Sequence, residues 1–181
     1  MLKGIFGHFK TIMRHKWEVF KISAKVGIPI RGLLHDLSKF SPSEFFVGAK
    51  YYTGKRSPNE GERKDFGFST AWIHHKGIER HHFEHWRDYD PNTGIERPVE
   101  MPVIFLKEMF CDRVAASKTY MGKDYTDSEP LKYFLKAKGK RSIGEKTSDR
   151  LELFLTVLAE KGEKEAFKFV REYRIKDADS K

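Results

Sequence analysis

Helical periodicity runs through nearly the whole chain, and that one feature narrows the possible folds most. Ile5, His8, Ile12, His15, Val19, Ile22 and Val26 recur at three- and four-residue steps, the spacing of one helix face. This predicts a helix over about 3–26, ended by Gly27 at the position just past it. Pro29 opens a second over 29–39, since a proline's missing N–H costs nothing in a first turn. Ser41-Pro42-Ser43-Glu44 reads as the start of a third, reaching about Tyr52, with Ser41 as cap and Glu44 closing a capping box. Residues 53–67, rich in Gly, Pro, Asn and charge, read as an exposed loop that could serve as a lid. Further helices are predicted over 68–76, 79–87, 101–120, 128–138, 147–161 and 163–174, with a turn at Asp90-Pro91-Asn92-Thr93-Gly94. No segment alternates apolar and polar residues as a strand would. The fold class is all-α. We expect a helical unit over 1–138 and a C-terminal helical pair over 139–181 packed on it as one domain.

Composition excludes several classes. Fifteen Phe, seven Tyr and three Trp are too many aromatics for a disordered chain. No apolar run approaches the ~18 residues of a membrane span. The first 25 residues alternate apolar and basic side chains too regularly for a signal peptide, so a cytoplasmic protein without a membrane partner is expected. The single cysteine, Cys111, can form neither an internal disulfide nor a thiolate zinc site, so any metal must be held by histidines and carboxylates. The net charge of +9 favours phosphate-bearing partners, from a small nucleotide to a nucleic acid. Lys132, Lys136, Lys138, Lys140 and Arg141 hold much of the excess, as a solvated surface or a phosphate-binding strip.

The histidines matter by placement. His8 and His15 both lie on the inward stripe of the first helix, where a core histidine bonded to a carbonyl is the plain reading. Asp112 borders the core side of the helix over 101–120, so its carboxylate needs a cation: a metal, or an arginine such as Arg31 or Arg113. His35-Asp36 lies among Leu33, Leu34 and Leu37, a poor setting for a solvated pair. His74, His75, His81, His82 and His85 crowd one segment, with His81 and His85 at the four-residue spacing of ligands on one helix face. Packing against Trp72 and Trp86 is the alternative there. Imidazole suits Zn, Fe, Mn, Co and Ni alike, and carboxylates add affinity for the harder ions.

In order, His15, His35-Asp36, the His75–His82 cluster and Asp112 resemble the H…HD…D signature of the metal-dependent HD superfamily. The run His35-Asp36-Leu37-Ser38-Lys39-Phe40-Ser41-Pro42-Ser43-Glu44-Phe45 is similar to a small HD-like family of phages and bacteria. The likeness continues through Ala71-Trp72, His74-His75, His81-His82 and Glu108-Met109-Phe110-Cys111-Asp112. It implies an HD-like helical bundle of about eight helices, with His15, His35, Asp36 and Asp112 as ligands of one divalent transition-metal ion. His75 and His82, with His81 close behind, would serve a second ion, and Asp36 would bridge the two. Lys39 stands where many relatives carry a lysine that faces phosphate, although Ser38 replaces a common glycine. The Gly-Tyr-Pro triplet of cyclic-dinucleotide phosphodiesterases is missing.

The resemblance implies metal-dependent phosphohydrolysis of a nucleotide or related ester. Asp36 or Glu18 would take the proton from water, and Lys39 and Arg31 would bind the phosphate. Two other functions fit the residues. HD oxygenases with two irons share the ligand order. A non-enzymatic basic module binding nucleic acid or protein would use Trp17 with Lys16 and Lys21, or Tyr133 with Lys132 and Lys136.

Overall fold

The first helix, α1 (Leu2–Val26), turns His8, Ile12, His15, Val19, Ile22 and Val26 inward, as its periodicity requires. The computed structural model describes residues 2–174, so residues 175–181 of the expected C-terminal unit lie outside the described residues. After α1 come α2 (Pro29–Leu34), a 3-10 turn at Leu37–Phe40, α3 (Pro42–Lys50), α4 (Pro58–Phe66) and α5 (Thr70–Ile78). A second 3-10 turn, Phe83–His85, leads into the hairpin β1 (Arg87–Tyr89) and β2 (Glu96–Pro98), which pair antiparallel with Asp88 opposite Arg97. The chain finishes with α6 (Val103–Met121), a 3-10 turn at Gly122–Asp124, α7 (Glu129–Ala137) and α8 (Glu145–Glu172). The architecture is an all-α bundle of eight α-helices among the described residues, with one very small sheet.

Helices α1, α6 and α8 enclose the core. Val19, Ile22 and Val26 of α1 meet Leu106, Phe110 and Val114 of α6 and Leu151, Phe154, Leu155 and Leu158 of α8, all fully buried. The core therefore runs without a break across residue 139. Glu100 ties the same junction from outside: it accepts from Thr147 N at 2.6 Å and Thr147 Oγ1 at 2.7 Å, covering donors of the first turn of α8. Gly162, at φ 75° and ψ 174°, breaks α8 into the two helices that the sequence suggests.

Five local expectations need correction. The helix expected over 29–39 stops at Leu34, and His35-Asp36 occupies the break before the 3-10 turn. Leu33, Leu34 and Leu37 face solvent while His35 and Asp36 are buried, the reverse of an apolar wrapping. The loop expected over 53–67 contains α4, anchored where Glu62 accepts from Ser69 Oγ at 2.6 Å and from Ala71 N at 3.4 Å. No α-helix spans 79–87; that stretch is a 3-10 turn running into β1, so His81 and His85 share no helix face. Finally, α3 begins at Ser41-Pro42, but Ser41 makes no side-chain cap and Glu44 turns inward to two histidines, so there is no capping box.

Gly32 sets how closely α2 lies on α1. A Cβ there would meet Ser23 Cβ at 2.5 Å and Phe20 Cα at 3.1 Å, and the second contact is backbone that cannot swing away. Gly32→Ala should push α2 off α1 and cost about 1–3 kcal/mol, the usual range for overpacking. Urea unfolding of the variant against the wild type measures it.

Candidate metal centre

The histidines and carboxylates of the centre come from five pieces of the fold. α1 supplies His15, the break after α2 supplies His35 and Asp36, α5 supplies His75, the irregular segment after it supplies His81 and His82, and α6 supplies Asp112. Asp36 is the only described non-glycine residue with positive φ, at 55°. Aspartate tolerates this left-handed conformation better than most side chains. The turn it makes aims the carboxylate into the space between α1, α5 and α6.

The two oxygens of Asp36 face two groups of ligand atoms. Near Oδ2 are His35 Nε2 at 3.3 Å and His15 Nε2 at 3.7 Å, and Asp112 Oδ1 lies 3.0 Å from His15 Nε2 and 3.5 Å from His35 Nε2. Near Oδ1 are His75 Nε2 at 3.3 Å and His81 Nε2 at 3.5 Å, with His82 completing a set whose ligand atoms all lie within 4.8 Å of one another. Bonds of about 2.1 Å to a shared ion put neighbouring ligands about 3.0 Å apart at right angles and about 3.4 Å apart at tetrahedral angles. The observed spacings suit that arrangement.

Hydrogen bonding does not account for them. Nε2 of His15, His35, His75, His81 and His82 and Oδ1 of Asp36 are all buried and have no hydrogen-bond partner. Buried polar atoms are rarely left so, and here they converge on two points. The donor set, imidazoles with carboxylates and no thiolate, fits a divalent transition ion at each. Burial pushes His15 below its ordinary pKa, and burial together with His81 and His75 pushes His82 well below. Both are therefore neutral, the ligating form. Burial alone would raise Asp36 and Asp112, but His35 and Lys39 around the first, and His15 and His35 around the second, hold both well below the carboxylate range. For His35, burial opposes the charge of Asp36 and the close carboxylates of Asp112 and Glu108, which together raise it well above its ordinary value. A cation at this point would take that proton's place.

Two carboxylates that sequence reasoning did not single out stand behind the ligands. His35 Nδ1 donates to Glu108 Oε1 at 3.2 Å, and His81 Nδ1 lies 3.5 Å from the same oxygen. His75 Nδ1 donates to Glu44 Oε2 at 3.0 Å, while His74 Nδ1 donates to Glu44 Oε1 at 2.6 Å. A carboxylate on the far nitrogen fixes ring and tautomer so that Nε2 presents its lone pair. The signal for Glu108 was its place one helical turn before Asp112. For Glu44 it was hidden by a pattern that also describes a helix cap.

The other candidates fall in different places. Lys39 Nζ contacts Asp36 Oδ2 and remains one-third exposed, at the rim of the centre. Arg31, likewise one-third exposed, is already engaged: its guanidinium bonds Glu108 Oε2 at 2.9 Å and covers the Phe105 ring at 4.2 Å, so it anchors the carboxylate behind His35. Glu18 pairs with Lys21 at 2.8 Å and joins none of the ligand groups. Asp112 meets no arginine, since Arg31 holds Glu108 and Arg113 lies over Phe134. His8 packs between Phe45 and Tyr52, a core histidine, and His85 bonds Gly77 O at 3.1 Å. No described helix is long and apolar enough to cross a membrane.

A family profile described as "Family of unknown function (DUF5662)" matches residues 4–157, a span that includes every residue of the centre. No curated protein and no solved structure matches the chain.

Proposed function

The chain belongs to this family of unknown function, so its chemistry rests on the centre itself, and we propose that it is a metal-dependent phosphohydrolase acting on a nucleotide or related phosphate ester. The observation that carries the reading is the pair of adjacent ligand sets sharing Asp36, one oxygen facing each. The order of these residues along the chain, which resembles the HD signature, supports it. His15, His35, Asp36 and Asp112 would hold one ion, and Asp36, His75, His81 and His82 the other. Two such ions lower the pKa of bound water toward ~7 and polarise a phosphoryl oxygen.

The chain's own groups do the rest. Lys39 places an ammonium at the rim, where it offsets charge on the phosphoryl oxygens. Asp112 is 18% exposed against 1% for Asp36, so it is the ligand carboxylate that reaches solvent. Glu108 and Glu44 hold His35 and His75 in register. A diiron oxygenase would use the same ligands, and dioxygen uptake by an iron-loaded protein separates the two readings. The basic-module reading has less support, because Lys132 pairs with Glu129, Lys138 with Glu152, and Arg141 lies over Tyr133.

The test is phosphate release from a panel of nucleotides with manganese, cobalt or magnesium added. We expect turnover with at least one ion, and Lys39→Ala should slow it about 10–100-fold by removing a charge aimed at the phosphate. A wild-type protein inert across the whole panel would overturn the proposal.

A further inference from the structure

Helix α1 is apolar on two faces, and the described fold covers only one of them. Its inward stripe joins the core and the metal centre. Outward, Leu2, Phe6, Phe9, Met13 and Trp17 are each between 45% and 71% exposed. The steps from Leu2 to Met13 are four, three and four, and Phe20 returns seven residues after Met13, the spacing of a coiled-coil seam interrupted only at Lys16, whose ammonium turns aside to the Leu33 carbonyl. Trp17 stacks on Phe20 with ring centroids 5.6 Å apart. The surface continues sideways, where the Phe40 ring lies 6.3 Å from Phe9 and the Leu33 carbonyl accepts from Lys16 Nζ at 3.3 Å.

We propose that this face is the interface of a homodimer, with α1 of one copy laid against α1 of the second about a two-fold axis. Its size is that of an interface: seven large side chains presenting roughly 100 Å² each approach the ~800 Å² per partner of a standard complex. A seam of heptad spacing is also its own complement, since the same knobs and holes occur on both copies. Two cavities, of about 360 Å³ each, lie away from this face, between the hairpin and Arg141 and beside Gly27 and Arg171. Lys3, Lys10 and Arg14 run along one edge of the seam, and Glu18, paired with Lys21, is the only acid on α1. In the dimer these cations lie at the rim and repel weakly. Salt must then strengthen association, whereas it would weaken docking on an anionic partner. The dimer stands independently of the metal centre.

Sedimentation equilibrium over a dilution series, at low and at high salt, tests this. The expected result is twice the protomer mass, with a dissociation constant that falls as salt is added. Phe6→Glu and Trp17→Glu, both fully surface changes, should each weaken the dimer by at least roughly 100-fold, the scale of a central aromatic anchor. Their helicity and metal content should match the wild type. A wild-type protein that stays monomeric throughout would overturn the proposal. So would a dimer indifferent to both substitutions, or association seen only with phosphatidylglycerol vesicles and lost in salt.

Discussion

Asp36→Asn should leave the helices intact, drop the metal content from the proposed two ions to less than one, and abolish the proposed turnover. Asparagine tolerates the left-handed backbone at this position, so the turn between α2 and the 3-10 segment survives. The charge does not. A neutral amide offers one oxygen in place of two, and its N–H₂ end would face either the His15–His35 set or the His75–His81 set. With several kcal/mol of transition-state stabilisation resting on the ions, the loss is on the order of 10³-fold or more. Elemental analysis and phosphate release are the measurements, with circular dichroism as the control for folding. A variant carrying two ions and working at the wild-type rate would remove the bridging role from Asp36.

Glu108→Gln is expected to have the next largest effect, although Glu108 need not touch an ion. Its two oxygens serve three partners: His35 and His81 on one side, Arg31 on the other. Burial would raise its pKa, but hydrogen bonds from His35 and His81 outweigh that and bring it to about 2, so the carboxylate stays ionised. Glutamine must point its amide hydrogens at Arg31 or at the His35 N–H, and either choice leaves two donors facing each other. Outer carboxylates of this kind contribute about 10–100-fold to metal affinity. Because His35 belongs to one ligand set and His81 to the other, both ions should bind more weakly together. Competition with a coloured chelator reads this directly, and loss confined to one ion would contradict the shared anchoring.

How far the sequence led depended on whether a residue's environment is local. The inward stripe of α1 is local, and it placed His15 correctly among buried neighbours. The helical character of α6 and of both halves of α8 followed from the same periodicity. The break at His35-Asp36 was not legible, because Leu33, Leu34 and Leu37 look like core until α1 is seen to approach Gly32 from the other side. The segment 79–87 misled for a related reason. Adjacent helical residues point about 100° apart, so bringing both His81 and His82 to one small centre favours an irregular backbone that no local propensity announces. The β1–β2 hairpin was within reach, since the turn between its strands was recognised while the strands were too short to show alternation. Glu44 was missed because one pattern served two purposes, and only tertiary contact with His74 and His75 separates them.

The kink at Gly162 decides where the polypeptide finally comes to rest. It redirects the last helical turns onto α1 and α6, where Arg171 Nε donates to Lys25 O of α1 at 2.8 Å and the Arg171 carbonyl accepts from Lys107 Nζ of α6 at 2.8 Å. The molecule is thereby latched: this turn of α8 holds the C-terminal end of α1 in place, and the middle of that rod carries His15. A nascent chain released from synthesis at the kink would possess every ligand yet lack the clasp that steadies them. The clasp lies beyond residue 157, outside the span that the family profile matches.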